Sequence, residues 1–276
     1  MKFLSFIFVF LFAQSSFGFM KISNSVKDCN LAKDSVKVHK AVVNEATGNL
    51  AHKVAVHGEE NRELTDKFSG TVPIICVESN GKRRDFGSAN IIDNGRLVGV
   101  IHNLLELGTC EDLSSTNKCS IYSQGSFYSF KVNTSLKNQC LKNGGEDEPA
   151  ILGVLENIPM SNEAYEVECG EIEDNEEAYV VGAYAKNFKK ENALKYMGQK
   201  RIVGHGSIEK KENGDLNYTI DSGSGMSGGA ILVNRNGKYK IAGVHYGKDT
   251  KSEYSIEARA YKNKGLKFRS KSEICP

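Results

Sequence analysis

Apolar positions along this chain gather in short runs, and helical stripes are scarce. After residue 53 the first series is Val72–Val77, Ala89–Ile92, Leu97–Ile101, Ser126–Val132 and Ala150–Leu155. A second series follows at Ala178–Ala183, Lys200–Glu209, Leu216–Ile220, Ala230–Val233 and Lys238–Val244. Gly, Asn and Asp punctuate the runs, as in Asp93-Asn94-Gly95 and Asn234-Arg235-Asn236-Gly237. Asn-Gly between two such runs favours a tight hairpin, because both residues tolerate positive φ. Many short strands at this spacing predict an all-β protein, built as an antiparallel sandwich or barrel. Glu171–Glu177 reads as a solvated acidic loop. The basic stretch Lys262–Lys271 carries a faint amphipathic pattern and predicts, at most, a short C-terminal helix.

The N-terminus breaks this pattern. Lys2 precedes an apolar run, Phe3 to Ala13, that is too short to span a bilayer. Ser16-Phe17-Gly18 then offers the small residues of a processing site, so residues 1–18 read as a signal peptide. Residues 19–53 are polar and rich in Lys and Asn, and read as a propeptide or N-terminal arm ending at Lys53. Seven cysteines (Cys29, Cys76, Cys110, Cys119, Cys140, Cys169 and Cys275) suit an oxidising compartment. Loss of Cys29 with the arm would leave an even set, in which Cys110 and Cys119 could close a local loop. The chain is therefore expected to be secreted or periplasmic. Its 276 residues are 39% hydrophobic and 25% charged, with a net charge of +2, so nothing suggests a nucleic-acid partner. No Cys or His spacing suits zinc, and neither a metal nor a cofactor is expected. Asn133-Thr134-Ser135 and Asn217-Tyr218-Thr219 match glycan acceptors.

Candidate chemistry sits in Asp221-Ser222-Gly223-Ser224-Gly225-Met226-Ser227-Gly228-Gly229, followed at once by an apolar strand. A serine nucleophile needs a tight turn that exposes its hydroxyl, with backbone N–H groups aimed where an oxyanion forms. Glycines two before and one after Ser227 let the backbone take that shape. A general base must accompany it. His102 ends the run Gly95-Arg96-Leu97-Val98-Gly99-Val100-Ile101-His102, which follows Phe86-Gly87-Ser88-Ala89-Asn90-Ile91-Ile92 across a hairpin.

Gly87-Ser88-Ala89 through His102 resembles the strand–hairpin–strand–histidine segment of trypsin-like serine peptidases, and the Ser227 loop resembles their nucleophile loop. The order histidine, acid, serine is kept. Val54-Ala55-Val56-His57-Gly58-Glu59-Glu60-Asn61-Arg62 is similar to the mature start of the bacterial glutamyl endopeptidase branch. Val180-Val181-Gly182-Ala183-Tyr184 and Ile241-Ala242-Gly243-Val244-His245-Tyr246-Gly247 resemble two strands of its second half. The likeness covers roughly residues 54–250. It implies two antiparallel six-stranded β-barrels with the active site in the cleft between them. The peptidase domain would run over 54–276, with the first barrel at about 54–160 and the second at about 161–265. Ser227 would attack the scissile carbonyl, His102 would act as general base, and the N–H groups of Gly225 and Ser227 would form the oxyanion hole. The acid is open between two residues. Glu148 stands two before Ala150, where the family has Asp, and Asp147 is one further back; Pro149 can shift the register. The chain departs from the family at Gly99, Val100 and Ile101, where Thr or Ser and Ala are usual, and at Asn103, where many members have Cys.

Substrate selection is divided. Ser222, five before Ser227, and His245, eighteen after it, match positions that face an acidic side chain in glutamyl endopeptidases, with Lys248 near the rim. Asp221, six before Ser227, matches the residue with which trypsin pairs Lys or Arg. Met226 replaces the Asp that receives the new N-terminus in vertebrate trypsins, so that ion pair is excluded. The expected function is a monomeric secreted serine endopeptidase acting on proteins or peptides, free of the membrane once its signal is removed. The rival is a catalytically impaired homologue that binds peptides or another protein.

Overall fold

The computed structural model describes residues 54–55, 62–78, 83–112, 117–183, 195–211, 215–218, 220–223, 225–248, 263–268 and 272–275. The signal peptide, the arm with Cys29 and Lys53, and the segment from Val56 to Asn61 lie outside these residues, as does Tyr184.

The strands are β1 (Val54–Ala55), β2 (Glu63–Thr65), β3 (Thr71–Glu78), β4 (Arg83–Ile91), β5 (Arg96–Val100), β6 (Asn117–Ser123), β7 (Ser126–Val132), β8 (Pro149–Leu155) and β9 (Glu166–Val167). They continue as β10 (Glu176–Gly182), β11 (Arg201–Lys210), β12 (Asp215–Tyr218), β13 (Ser222–Gly223), β14 (Ala230–Arg235), β15 (Lys238–Lys248) and β16 (Asn263–Lys267). One short helix, α1 (Leu136–Lys142), links β7 to β8. The first barrel closes in the order β3-β4-β5-β8-β7-β6, with β6 returning to β3. The second runs β10-β14-β15-β16-β12-β11, and the pairing of β10 with β11 closes it. This is the all-β, two-barrel architecture expected from the sequence. Strand β2 adds to the second barrel through β11, and β1 pairs with β13, although both precede the first barrel in the chain.

Three apolar clusters explain why many runs are continuously apolar. Leu97, Ile91 and Leu152 fill the first barrel, and Val180, Ile231 and Ala242 fill the second. The alternate residues Val98, Val100, Ile151, Val181, Leu232 and Val244 form a third cluster between the barrels. A strand buried on both faces needs apolar side chains at both parities. Both Asn-Gly sites turn as expected: Asn94 and Gly95 have φ of 52° and 72°, and Asn236 and Gly237 have 55° and 84°.

Three expectations are corrected. The Lys262–Lys271 region holds strand β16 where a short helix was considered. Its backbone pairs with β12 and β15 and completes the second barrel, a demand that outweighs a faint helical pattern. Cys110 and Cys119 do not pair with each other. The disulfides are Cys76–Cys119, Cys110–Cys140 and Cys169–Cys275. Cys76 and Cys119 are cross-strand partners of β3 and β6, which the sequence spacing conceals. The acidic loop at 171–177 is only partly solvated: Ile172 is buried, and Glu176 pairs with Arg235.

Candidate active site

β5 and β8 are neighbours, with Val100 opposite Pro149. Their ends place the turn after β5 beside the residues before β8. That turn is a 3₁₀ segment, Ile101–Asn103. The Ile101 N–H donates to Glu148 O at 3.2 Å, and Leu104 N–H donates back to Ile101 O at 2.9 Å. Asp147 then meets His102 twice. One carboxylate oxygen accepts the His102 backbone N–H at 3.0 Å, and the other bonds the ring Nδ1. The Asp147 side chain is 1% exposed and that of His102 is 28% exposed, so the acid is enclosed while the imidazole reaches the surface. Of the two acid candidates, it is the carboxylate of Asp147 that meets His102; Glu148 serves the turn through its carbonyl. Two aspartate contacts fix both the backbone and the ring plane of the histidine. A carboxylate on Nδ1 leaves Nε2 as the nitrogen for proton traffic.

Ser227 lies in a loop that only glycine allows. Gly225 has φ of 99° and Gly228 of 82°. A Cβ at Gly228 would fall 2.2 Å from Ser88 O, and one at Gly229 would fall 2.2 Å from Val181 O. Met226 N–H donates to Gly223 O at 3.0 Å, and Gly229 N–H donates to Met226 O at 2.8 Å, closing the turn. The Met226 side chain is fully buried in the second barrel, against Gly182. Among the described residues, the N–H groups of Gly225 and Ser227 donate to no carbonyl, unlike those of Met226, Gly228 and Gly229. The Ser227 hydroxyl makes no hydrogen bond to His102. Pairs of this kind often tighten only when substrate arrives.

Residues that sequence reasoning did not select hold this loop. Ser88 N–H donates to Ser227 O at 2.8 Å, and Ser88 Oγ donates to Gly225 O at 3.1 Å. Asn90 Nδ2 donates to Gly228 O at 2.8 Å, and Asn103 Nδ2 donates to Ser227 O at 3.2 Å. The signal available in the sequence was a polar residue inside an apolar strand, Asn90 in Ala89-Asn90-Ile91. The Gly99 and Val100 departures are accommodated by packing. A Cβ at Gly99 would lie 2.7 Å from Leu152 Cδ1, and Val100 belongs to the cluster between the barrels.

Ser222 and Asp221 lead into the loop and are buried. Ser222 O accepts from Arg62 Nη1 at 3.3 Å, and Ser222 pairs with Ala55 of β1. His245 on β15 brackets the loop from the other side. Its carbonyl accepts from Gly228 N–H at 2.7 Å, and its N–H donates to Gly229 O at 2.8 Å. The His245 ring is buried, and its Nδ1 shares a hydrogen bond with Tyr218 Oη. Burial, then the neighbouring His102, depresses the His245 pKa to about 3, so this imidazole is neutral. Burial also holds the Tyr218 phenol well above its ordinary range. Lys248 ends β15 opposite Asn263, just beyond a bulge between His245 and Gly247. No group of three or more His, Cys, Asp or Glu among the described residues could hold a metal. The Asn133 amide of one glycan motif is engaged with Ile151 O at 2.9 Å, and Asn217 of the other is buried.

No family model matches the sequence, and no curated protein matches it significantly. Solved structures do match in fold. A Glu endopeptidase aligns with a TM-score of 0.53 at 14% identity, covering 79% of this chain and 94% of that one. The chain has the fold of the trypsin-like serine proteases. A thermostable serine protease, AL20, from an extremophilic microorganism aligns with a TM-score of 0.49 at 13% identity, covering 74% of this chain and 94% of that one. The protease Anisep from Arthrobacter nicotinovorans gives 0.47 at 11%, over 76% and 94%. Within this fold the histidine turn belongs to the first barrel and the serine loop to the second.

Proposed function

We propose that the chain is a secreted serine endopeptidase with Ser227, His102 and Asp147 as its catalytic triad. The observation that carries this reading is the double contact of Asp147 with His102, in a turn tied to the Ser227 loop. Ser227 Oγ attacks the scissile carbonyl while His102 Nε2 takes its proton. The tetrahedral oxyanion is received by the N–H groups of Gly225 and Ser227. His102 then gives the proton to the leaving amine, an acyl-enzyme remains on Ser227, and water activated by the same nitrogen releases it. Each oxyanion donor contributes about 3–4 kcal/mol of transition-state stabilisation in comparable sites.

The preferred residue before the scissile bond is Glu, with Asp second. Ser222 and the neutral His245 offer hydrogen bonds to a carboxylate, in keeping with the fold relative named as a Glu endopeptidase. Removal of residues 1–18 on export and of 19–53 on maturation would make Val54 the mature N-terminus. Strand β1 supports this, because it sets the Val54 backbone opposite Gly223, four residues before Ser227. The three disulfides fit an oxidising compartment, and no helix among the described residues is long and apolar enough to cross a membrane.

The test uses the mature secreted protein on a peptide library, wild type beside S227A. Wild type is expected to cleave after Glu and to be labelled by a phosphonofluoridate, while S227A does neither. Cleavage only after Lys or Arg would transfer specificity to Asp221. A wild type inert to both library and reagent would favour the impaired, peptide-binding homologue.

A further inference from the structure

Asn103 follows His102 in the same 3₁₀ turn. Its Nδ2 lies 2.9 Å from Ser88 O and 3.2 Å from Ser227 O. An atom within reach of two carbonyl oxygens must be the NH₂ group, whose two protons match the two acceptors. One side chain therefore joins three pieces of the site: the histidine turn, strand β4 and the serine loop. Asn103 is 8% exposed, so water competes little for these bonds. The surroundings are cut to fit it. A Cβ at Gly87 would fall 2.3 Å from Asn103 Oδ1, and one at Gly228 would fall 2.5 Å from Nδ2. Glycine on both flanks leaves room for this amide and for nothing larger.

Two other side chains that donate to carbonyls of the Gly225–Gly229 loop, Ser88 and Asn90, sit on β4 and not on the histidine turn. Asn103 alone among these side chains adjoins His102 in the chain. Its hydrogen bonds run to the Ser88 and Ser227 carbonyls and not to Ser227 Oγ or the His102 ring.

We propose that Asn103 is a positioning residue that sets the register between His102 and Ser227 across the barrel junction. The inference rests on the catalytic reading above. Displacing a reacting group by about 1 Å can cost on the order of 100-fold in rate. Binding of the substrate side chain depends on other residues and should be spared. N103D keeps the shape but turns a carboxylate oxygen toward two carbonyls; N103L removes both donors.

The experiment compares mature wild type, N103D and N103L by four measurements. These are kcat and KM on the best library peptide, the rate of phosphonofluoridate labelling of Ser227, the low-field proton signal of the His102–Asp147 bond, and thermal unfolding. In N103D, kcat and the labelling rate should fall together by about 10–100-fold. KM should stay within about threefold, and the low-field signal should persist in a folded protein. N103L should behave alike; if it does not fold, N103D decides. Wild-type kcat and labelling in folded N103D would overturn the inference alone. Loss in proportion to the unfolded fraction would also overturn it, since the role would then be structural. A wild type that resists the reagent would overturn the catalytic reading and this inference with it.

Discussion

At the residue scale, the question left open by the sequence was which carboxylate serves His102. Asp147 and Glu148 are adjacent, and chain position alone cannot separate them. The difference is made by side-chain direction at the entry to β8. Pro149 begins the strand opposite Val100, which turns the Glu148 carbonyl to Ile101 and the Asp147 carboxylate to His102. D147N should therefore lower kcat by about 10⁴-fold, because an amide would stabilise the wrong imidazole tautomer. E148Q should change kcat by less than about threefold, since its backbone contact survives. Steady-state kinetics on one peptide decides between them, and a large loss in E148Q would move the acid to Glu148. Ser227, Gly225 and His102 were readable as candidates because their chemistry is local. Asn103 was visible only as a departure from a family pattern; its two acceptors are 15 and 124 residues away in the chain.

At the element scale, strands with dense apolar runs were legible and sparse ones were not. β7 was expected at its observed bounds, and β3, β5, β8, β10, β11 and β14 within two residues at each end, whereas β15 runs four residues past the expected Val244. β6 escaped because only Cys119 and Ile121 are apolar on its inward face, beside a buried Ser123. β16 escaped because Asn263-Lys264-Gly265-Leu266-Lys267 has one large apolar side chain. It is a strand because its backbone fills the gap between β12 and β15. Gly265 lies over Ile231 and Tyr218, where a Cβ would come within 2.2 Å of Ile231 Cδ1 and 3.0 Å of Tyr218 Cε1. G265A should destabilise the protein by about 1–3 kcal/mol through overpacking. Denaturant unfolding measures this, and an unchanged midpoint would mean that Ile231 yields freely.

At the scale of the whole molecule, the two barrels are joined by more than their apolar interface. Arg201 of β11 is buried and donates to Thr71 O at 2.6 Å and to Ser69 O at 2.7 Å, at the start of the first barrel. Cys169–Cys275 ties the chain's end to the segment after β9 across 106 residues of sequence. The neutral His245 makes global stability depend on pH. Its pKa is about 3 in the folded protein against 6.5 when unfolded. Between these values the unfolded chain binds more protons, so stability rises with pH there. The contribution is complete above about pH 6.5 and is lost as pH falls toward 3, a change on the order of a few kcal/mol. Unfolding free energies at pH 7 and pH 4 should therefore differ more in wild type than in H245N. Parallel losses would mean that His245 titrates as an ordinary histidine.

The sequence by itself determined the strand-rich class, the hairpin turns, the serine loop and the histidine that precedes it in the chain. Each is written in neighbouring residues, through apolar runs, positive-φ pairs and a glycine pattern. The tertiary structure decided which carboxylate contacts His102, the disulfide partners, the last strand of the second barrel and the polar side chains that clasp the Ser227 loop. These depend on which strands become neighbours after the barrels close. The sites drawn together around Ser227 come from β4, the turn after β5, Asp147 two residues before β8, and β15, and local patterning carries no information about such meetings.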